Sequence, residues 1–253
     1  MMVEWLPLAA MMAAAFAGAF VQAAIGFGFA LVAAPVFLIA MQSGAAMQLL
    51  VMIHVVQSAM LVPSLWRKAP RDLLTLMLIG SLAGIPLGLA LFLALSLDTL
   101  KLTVGVVMLA FTALLIVRDA GLLDRWLKSV GPPHPAAASS VGMAAGALTS
   151  VLVLPGPPLI LYVAARRMEK LESRALSLTF FAFCYIAVTV MHALWSGISV
   201  ETWSLVGLLS PAVIAETVLG AMLARSLSET WFRRGITVVS LLSGAWLVWS
   251  AVG

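Results

Sequence analysis

Long apolar runs separated by short charged segments make up almost the whole chain. Six runs suit a single membrane-spanning helix of about 20 residues; they are residues 45–66, 73–97, 102–117, 175–197, 203–224 and 236–252. Two others, 5–41 and 136–165, are too long for one crossing and too short for two crossings joined by a turn. The pattern predicts an all-α polytopic membrane protein with two irregular segments.

Both irregular runs contain glycine and proline where a helix interior does not tolerate them. The first has GFG at 26–28 and the second has PGPP at 155–158. A helix break survives in a bilayer only where protein covers it or where it lines a polar cavity. Paired breaks at corresponding places in two halves are typical of the binding site of a secondary transporter.

Charged loops predict the topology. Under the positive-inside rule the cytoplasmic segments are 67–71, 118–128, 166–174 and 225–234, and the external loops are 42–44, 98–101 and 198–202. The run 136–165 then enters and leaves on the cytoplasmic side, which favours a re-entrant helical hairpin. By analogy, 5–41 enters from outside and turns at 26–28. The alternative is an ordinary bundle of eight spans with proline-kinked helices.

Weak internal similarity indicates a duplication. The series Gly18, Gln22, Gly26 and Gly28 aligns at constant offset with Gly146, Ser150, Leu154 and Gly156. The predicted organisation is a first repeat at 1–117, a cytoplasmic linker at 118–135 and a second repeat at 136–253. Because the two hairpins open to opposite sides, the repeats are expected to be inverted.

The amino-acid composition also indicates an integral membrane protein. Of 253 residues, 63% are hydrophobic and 9% are charged, whereas soluble domains carry about 25% charged residues. The single Cys184 excludes a disulfide framework, and the net charge of +4 comes from loops that set topology, not from a nucleic-acid surface. No grouped nucleophile, base or metal ligands occur, so we expect no enzyme, metal or cofactor. The N-terminus lacks a basic n-region and is expected to be retained.

Three ionisable side chains lie inside predicted spans, and such residues are functional candidates by default. His54, His192 and Glu216 are the candidates for proton coupling. The alternative for each histidine is a neutral imidazole bonded between helices, and Glu216 could instead pair with a hydroxyl or a histidine.

The breaks themselves suggest anion binding, because a helix that starts at a break presents free N–H groups and a positive dipole end. The expected donors are Phe29 and Ala30 after the first break, and Leu159 and Ile160 after Pro158. Side chains that could assist, or could simply pack between helices, are those of Gln22, Ser150 and Gln57. The predicted substrate-binding set is Gln22, Gly26, Phe27, Gly28, Phe29, Ala30, Gln57, Ser150, Gly156, Pro157 and Leu159.

At these residues the chain resembles the TauE/SafE sulfite exporter family, also called the toluene sulfonate uptake permeases. The first-repeat pattern is QAAIGFGFA at 22–30, and the second-repeat pattern is GPPLILY at 156–162. GAMLAR at 220–225 and Ser243-Gly244 resemble the closing pattern of that repeat. The position of Leu154-Pro155 often carries more glycine in the family.

The resemblance implies a secondary transporter of small sulfur-containing anions, sulfite or an organosulfonate, that exports them across the bacterial inner membrane. The expected partners are this anion and the lipid bilayer, with a homodimer among the assemblies left open. The coupling mechanism could be exchange, uniport or proton symport. The alternative from another class is a non-transporting scaffold or an accessory subunit, which predicts no polar cavity at the breaks.

The topology leads to a labelling prediction. A membrane-impermeant maleimide added from outside should modify a single cysteine placed within 42–44 and should not modify one placed within 166–174. Equal labelling of the two loops would contradict the inverted arrangement.

Overall fold

The computed structural model describes residues 5–25, 27–122, 134–223 and 229–252, and these residues form an all-α structure, which confirms the predicted fold class. The described part contains ten α-helices: α1 Trp5–Ile25, α2 Phe29–Met41, α3 Ala45–Leu61, α4 Arg71–Ala94, α5 Leu97–Asp119, α6 Ala137–Leu152, α7 Gly156–Ala165, α8 Lys170–Trp195, α9 Val200–Leu223 and α10 Glu229–Val252. Two 3₁₀ turns, Val62–Ser64 and Trp66–Lys68, follow α3.

Five helical segments among the described residues are long and apolar enough to cross a membrane; they are Ala45–Ser64, Arg71–Ala94, Leu97–Asp119, Lys170–Trp195 and Val200–Leu219. The outer faces of these helices carry large exposed apolar side chains, among them Leu82, Leu91, Ile186 and Leu194. Such extended apolar surface is foreign to a soluble monomer but suits contact with lipid. The chain is therefore a multi-pass membrane protein.

The two irregular runs are helix pairs that fold back on themselves. In the first, α1 packs against α2 so closely that a Cβ on Gly18 would lie 2.9 Å from the carbonyl oxygen of Phe29. In the second, α6 packs against α7, which has 10 residues and so spans about 15 Å at 1.5 Å per residue. That is half of the ~30 Å hydrocarbon core, so the α6–α7 pair has the dimensions of a hairpin and not of two crossings.

Glycine brings α4 and α6 into backbone contact along their length. A Cβ on Gly80, Gly84 or Gly88 would overlap the carbonyl oxygen of Ser139, Met143 or Ala147, respectively. The contacts advance in the same direction on both helices, so α4 and α6 run parallel. Small residues at four-residue spacing permit this approach, as the glycine spacing in the span 73–97 indicates.

Several helix contacts recur when the first five helices are exchanged with the last five. The contact of α4 with α6 has its counterpart in α1 with α9, and that of α4 with α8 in α9 with α3. The pairs α5 with α10 and α3 with α8 exchange with themselves, whereas α2 packs more extensively on α5 and α10 than α7 does on the corresponding helices. Such a pattern is what a two-fold relation between repeats predicts, although the boundaries at 1–117 and 136–253 and their inverted orientation stay predictions.

The structure corrects one predicted loop. Residues 98–101 were expected to form an external turn, but α5 already begins at Leu97, with the Ser96 side chain accepting a hydrogen bond from the Thr99 amide at 3.3 Å. Lys101 is buried, and its ammonium donates to Gln42 Oε1 at 2.7 Å. Lys101 was interpreted as a sign of a loop. Its aliphatic side chain and its hydrogen bond to Gln42 instead allow it to be buried within α5. Residues 123–133 of the predicted linker lie outside the described residues.

Substitution of glycine by alanine should have opposite effects on stability at Gly84, in the α4–α6 contact, and at Gly207, on an exposed face of α9. Gly84→Ala should lower the free energy of unfolding by about 1–3 kcal/mol, because the new methyl group must push the helices apart. Gly207 lies exposed on α9 with nothing within 4 Å of its Cβ direction, so Gly207→Ala should raise it by roughly 0.5–1 kcal/mol through helix propensity. Thermal unfolding in detergent measures both. A loss of stability at Gly207, or none at Gly84, would contradict the packing described.

Candidate functional site

The first break lies at the start of α2. Gly28 precedes the helix with φ 110°, a conformation that L side chains rarely adopt. The amide of Leu31 donates to the Gly28 carbonyl at 3.1 Å, which leaves the Phe29 and Ala30 amides as the first-turn donors without an intrahelical acceptor. This start of α2 agrees with the donors expected from the sequence.

The second break lies between α6 and α7. The helix α6 ends at Leu152, Val153 follows with φ 56°, and α7 begins at Gly156. Pro157 and Pro158 therefore occupy the first turn of α7, where their missing N–H groups are tolerated, as expected for prolines at a helix start. Leu159 and Ile160 are the fourth and fifth residues of α7, and their role as anion donors stays a prediction. Gly156 is the residue in that turn that carries a free amide.

The two breaks meet at one cavity. From the first break it is lined by Gln22, Phe27, Gly28, Ala30 and Leu31; from the second by Val153, Leu154, Pro155 and Gly156. The remaining walls are His54 of α3, Phe111 of α5, and Phe181 and Tyr185 of α8. The space open to the centre of a water molecule is about 10 Å³, which is room for about one water. The site is closed in this conformation.

Aromatic side chains hold the two tips together. The Phe111 ring lies 5.9 Å from the Phe27 ring, edge on, and its Cζ would be 3.7 Å from a Cβ on Gly156. The His54 ring lies between two others, edge on to the Phe29 ring at 4.5 Å and tilted against the Tyr185 ring at 4.4 Å. Phe111 thus contacts residues at both breaks. His54 contacts both α2 and α8.

Two buried polar atoms lie on residues that line this cavity and lack a partner among the described residues. Gln22, 1% exposed, has no hydrogen-bond partner at Nε2, and His54, 0% exposed, has none at Nε2. The other ring nitrogen of His54 lies 2.8 Å from the Leu50 carbonyl oxygen. Because buried polar groups are nearly always paired, two orphaned atoms at one cavity indicate a place for a polar ligand.

Several other predicted site residues lie outside the cavity lining. The Ser150 hydroxyl is within bonding distance of the Ile85 carbonyl oxygen, at 3.0 Å, across the α4–α6 contact, which is the packing alternative. Gln57 Nε2 donates to the Ala19 carbonyl at 3.3 Å, while its Oε1 is buried and unpaired among the described atoms. Neither side chain lines the cavity. Pro157 is half-buried and Leu159 is buried in α7, also outside the lining, and Gly26 lies outside the described residues.

The remaining proton-coupling candidates lie away from the cavity lining. His192 is buried beneath the edge of the Phe92 ring, at 4.9 Å, and its Nδ1 is 3.0 Å from Ser196 Oγ. Ser196 Oγ accepts a hydrogen bond from Gln48 Nε2 at 3.1 Å, so His192 belongs to a link between α3 and α8. Glu216 is 4% exposed, and its Oε2 has no partner among the described residues.

Sequence reasoning missed Phe111, Phe181 and Tyr185. All three lie in the middle of regular spans, with no local break to mark them. Tyr185 had one available signal, because it is one of only two tyrosines in the chain and lies inside an apolar run. Their place at the cavity depends on helix packing, which no local pattern encodes.

Comparison with known protein families fits this architecture. The family model for the sulfite exporter TauE/SafE matches residues 10–247. The chain therefore belongs to the TauE/SafE sulfite exporter family, and it is a membrane transporter. No curated protein and no solved structure matches the chain significantly.

The two breaks predict different tolerance to a methyl group. Gly28→Ala should lower the free energy of unfolding by about 1–3 kcal/mol, because φ 110° is strained for alanine and the new Cβ would lie 2.7 Å from Val21 Cγ1. Gly156→Ala is the matched control, since its Cβ would make only ordinary contacts at 3.7 Å or beyond. Unfolding of the two variants in graded sodium dodecyl sulfate should separate them; equal midpoints would contradict the geometry of the first break.

Proposed function

We propose that this protein is a secondary transporter of small sulfur-containing anions, sulfite or an organosulfonate, which it exports across the bacterial inner membrane. The anion binds near the midplane, in the cavity between the two helix breaks. The observation that carries this proposal is the meeting of both breaks at one cavity lined by Gln22 and His54, whose buried Nε2 atoms have no partner among the described residues.

The start of α2 favours an anion at this place. The amides of Phe29 and Ala30 have no intrahelical acceptor, and the helix dipole adds a partial positive charge where Gly28 lines the cavity. Donors of this kind bind anions without a formal positive charge. In agreement, neither lysine nor arginine is among the residues that line the cavity.

The small volume of the cavity supports alternating access. Room for about one water is too little for a sulfur oxyanion, so the tips must separate for the anion to enter. The aromatic contacts of Phe27 with Phe111, and of His54 with Tyr185, are the ones that would open. Relative motion of two repeats around a fixed midplane site is the usual mechanism for transporters built from inverted repeats.

Outward movement of an anion does not require a coupled proton. The inside-negative potential favours exit by about 2.3 kcal/mol per charge per 100 mV. Uptake of the same anion would need another driving force, for which Glu216 and His54 are the proposed proton carriers and His192 a further candidate. Only His54 among these three lines the cavity.

The competing function is that of a non-transporting scaffold or accessory subunit. A scaffold has no use for orphaned polar atoms at a cavity, and it would be expected to fill the space between the tips with apolar side chains. Gln22 and His54 therefore favour transport over a scaffold.

Flux into proteoliposomes tests the proposed function. The purified protein should carry labelled sulfite, or one of taurine and sulfoacetate, at a rate at least about tenfold above protein-free liposomes, and sulfate serves as the comparison anion of higher charge. A potential that is negative on the side of the anion should accelerate its exit. Protein that is folded and correctly inserted but moves none of these anions would remove the proposal.

A further inference from the structure

The unpartnered side-chain atoms at the cavity include both a hydrogen-bond acceptor and a hydrogen-bond donor. His54 Nδ1 lies 2.8 Å from the Leu50 carbonyl oxygen. A carbonyl oxygen can only accept, so Nδ1 carries the ring proton, and the neutral imidazole presents a lone pair at Nε2. This Nε2 is buried and has no partner among the described residues. His54 Nε2 is therefore an unsatisfied side-chain acceptor at the cavity.

The unsatisfied atom of Gln22 is of the opposite type. Its Nε2 is an amide nitrogen, which donates and does not accept. The free amides at the start of α2 are also donors. A ligand that satisfies all these groups needs oxygen lone pairs for the donors and one O–H group for His54.

Taking the cavity as the anion site of the proposed transporter, we propose that it binds a small oxyanion in its singly protonated form. The substrate O–H donates to His54 Nε2, and a second oxygen of the same anion accepts from Gln22 Nε2. Sulfite that carries one proton has both kinds of oxygen, whereas a sulfonate head group at neutral pH has acceptor oxygens alone. His54 is therefore the residue that selects sulfite over sulfonates.

Electrostatics gives the reason for this selection. An oxygen without a proton would place its lone pair against that of Nε2 in a site with almost no water. The ring could take up a proton instead, but a charged imidazolium would then be buried between the rings of Phe29 and Tyr185, and removing that charge from water costs free energy even when an anion is paired with it. The substrate proton removes both penalties at once. The complex therefore requires one proton in the hydrogen bond between His54 Nε2 and the anion.

Few titratable groups surround His54. Tyr185 of α8 faces it directly, and the described parts of α1 and α2 carry no titratable side chain. The charged residues of α5 lie near its two ends, away from Phe111. On α9, which packs against α3, the buried titratable group is Glu216. A Glu216→Gln variant therefore serves as the control for proton effects that do not arise at His54.

Calorimetric binding to the purified full-length protein tests this inference, with sulfite and methanesulfonate as the two probes. Methanesulfonate has a similar head group but no proton to donate. Sulfite should bind at least about tenfold more tightly, which is the usual effect of one hydrogen bond to a charged group. Its affinity should fall by about tenfold per pH unit once free sulfite has lost its proton, because each anion bound then takes up one proton. Methanesulfonate should show no such fall.

Three variants assign the effect to individual atoms. His54→Phe keeps the ring contacts but removes the acceptor, so the preference for sulfite should disappear. His54→Gln can turn an N–H towards the anion, so it should bind methanesulfonate at least as tightly as sulfite, and it replaces His54→Phe if that variant does not fold. Gln22→Leu should weaken both anions by a similar factor of about ten and keep their ratio.

The outcomes separate this inference from the proposed function. Equal affinity of the wild-type protein for the two anions, or sulfite affinity that rises with pH, would overturn the role of His54 while leaving an anion site. A pH dependence that Glu216→Gln abolishes and His54→Phe retains would overturn it as well. Absence of binding for both anions would overturn the site and the inference together.

Discussion

Backbone amides and carbonyls that are left without partners inside a membrane are the constraint on which this structure depends. Each broken run interrupts its helix near the middle of the protein, where no water is available to satisfy the freed groups. The two tips solve this problem by covering one another. Gly28 and Gly156 line the same cavity, and Phe111 closes the space between them. The need to shield two breaks from lipid and the formation of the cavity between them thus have the same structural origin.

Covering the tips requires helices that hold them at a fixed depth. The parallel contact of α4 with α6 does this for the second tip, because glycines at 80, 84 and 88 bring the two backbones together. The hydrogen bond from Ser150 to the Ile85 carbonyl adds a polar link just before the break. In the first tip Gly18 has the corresponding role, since it lets α2 lie directly on α1. Small residues therefore position the site without contributing to it chemically.

The two tips are not chemically equivalent. The first turn of α2 has free amides at Phe29 and Ala30, whereas prolines 157 and 158 remove donors from the first turn of α7. The helix start that the anion is proposed to approach is therefore that of α2, with Gln22 on the helix before it. The second tip contributes shape through Val153, Leu154 and Pro155. Aligned positions at the two breaks need not give equivalent donors, because the two prolines in the first turn of α7 have no N–H group.

Local chemistry in the sequence determined the class of the protein, the all-α architecture and the approximate position of both breaks. Uninterrupted apolar runs, and glycine or proline inside them, have meanings that hold in any fold. The same information placed Gln22, Phe27, Gly28, Ala30 and Gly156 near a site, because each lies at or within two turns of a break. It took Lys101 for a loop residue, since helix ends depend on capping and packing more than on hydropathy.

Only the tertiary structure decided which polar residues share the cavity. His54, Gln57, His192 and Glu216 look alike in the sequence, as single polar groups in apolar spans, yet His54 alone among them lines the space between the tips. The direction of a side chain around a helix, and the element that packs there, decide whether the side chain reaches the cavity. For the same reason Ser150, aligned with Gln22 in sequence, lies in a helix contact, while Gln22 lines the cavity. Rotation of a helix by one residue changes its neighbours, and that rotation is fixed by the packing of the whole bundle.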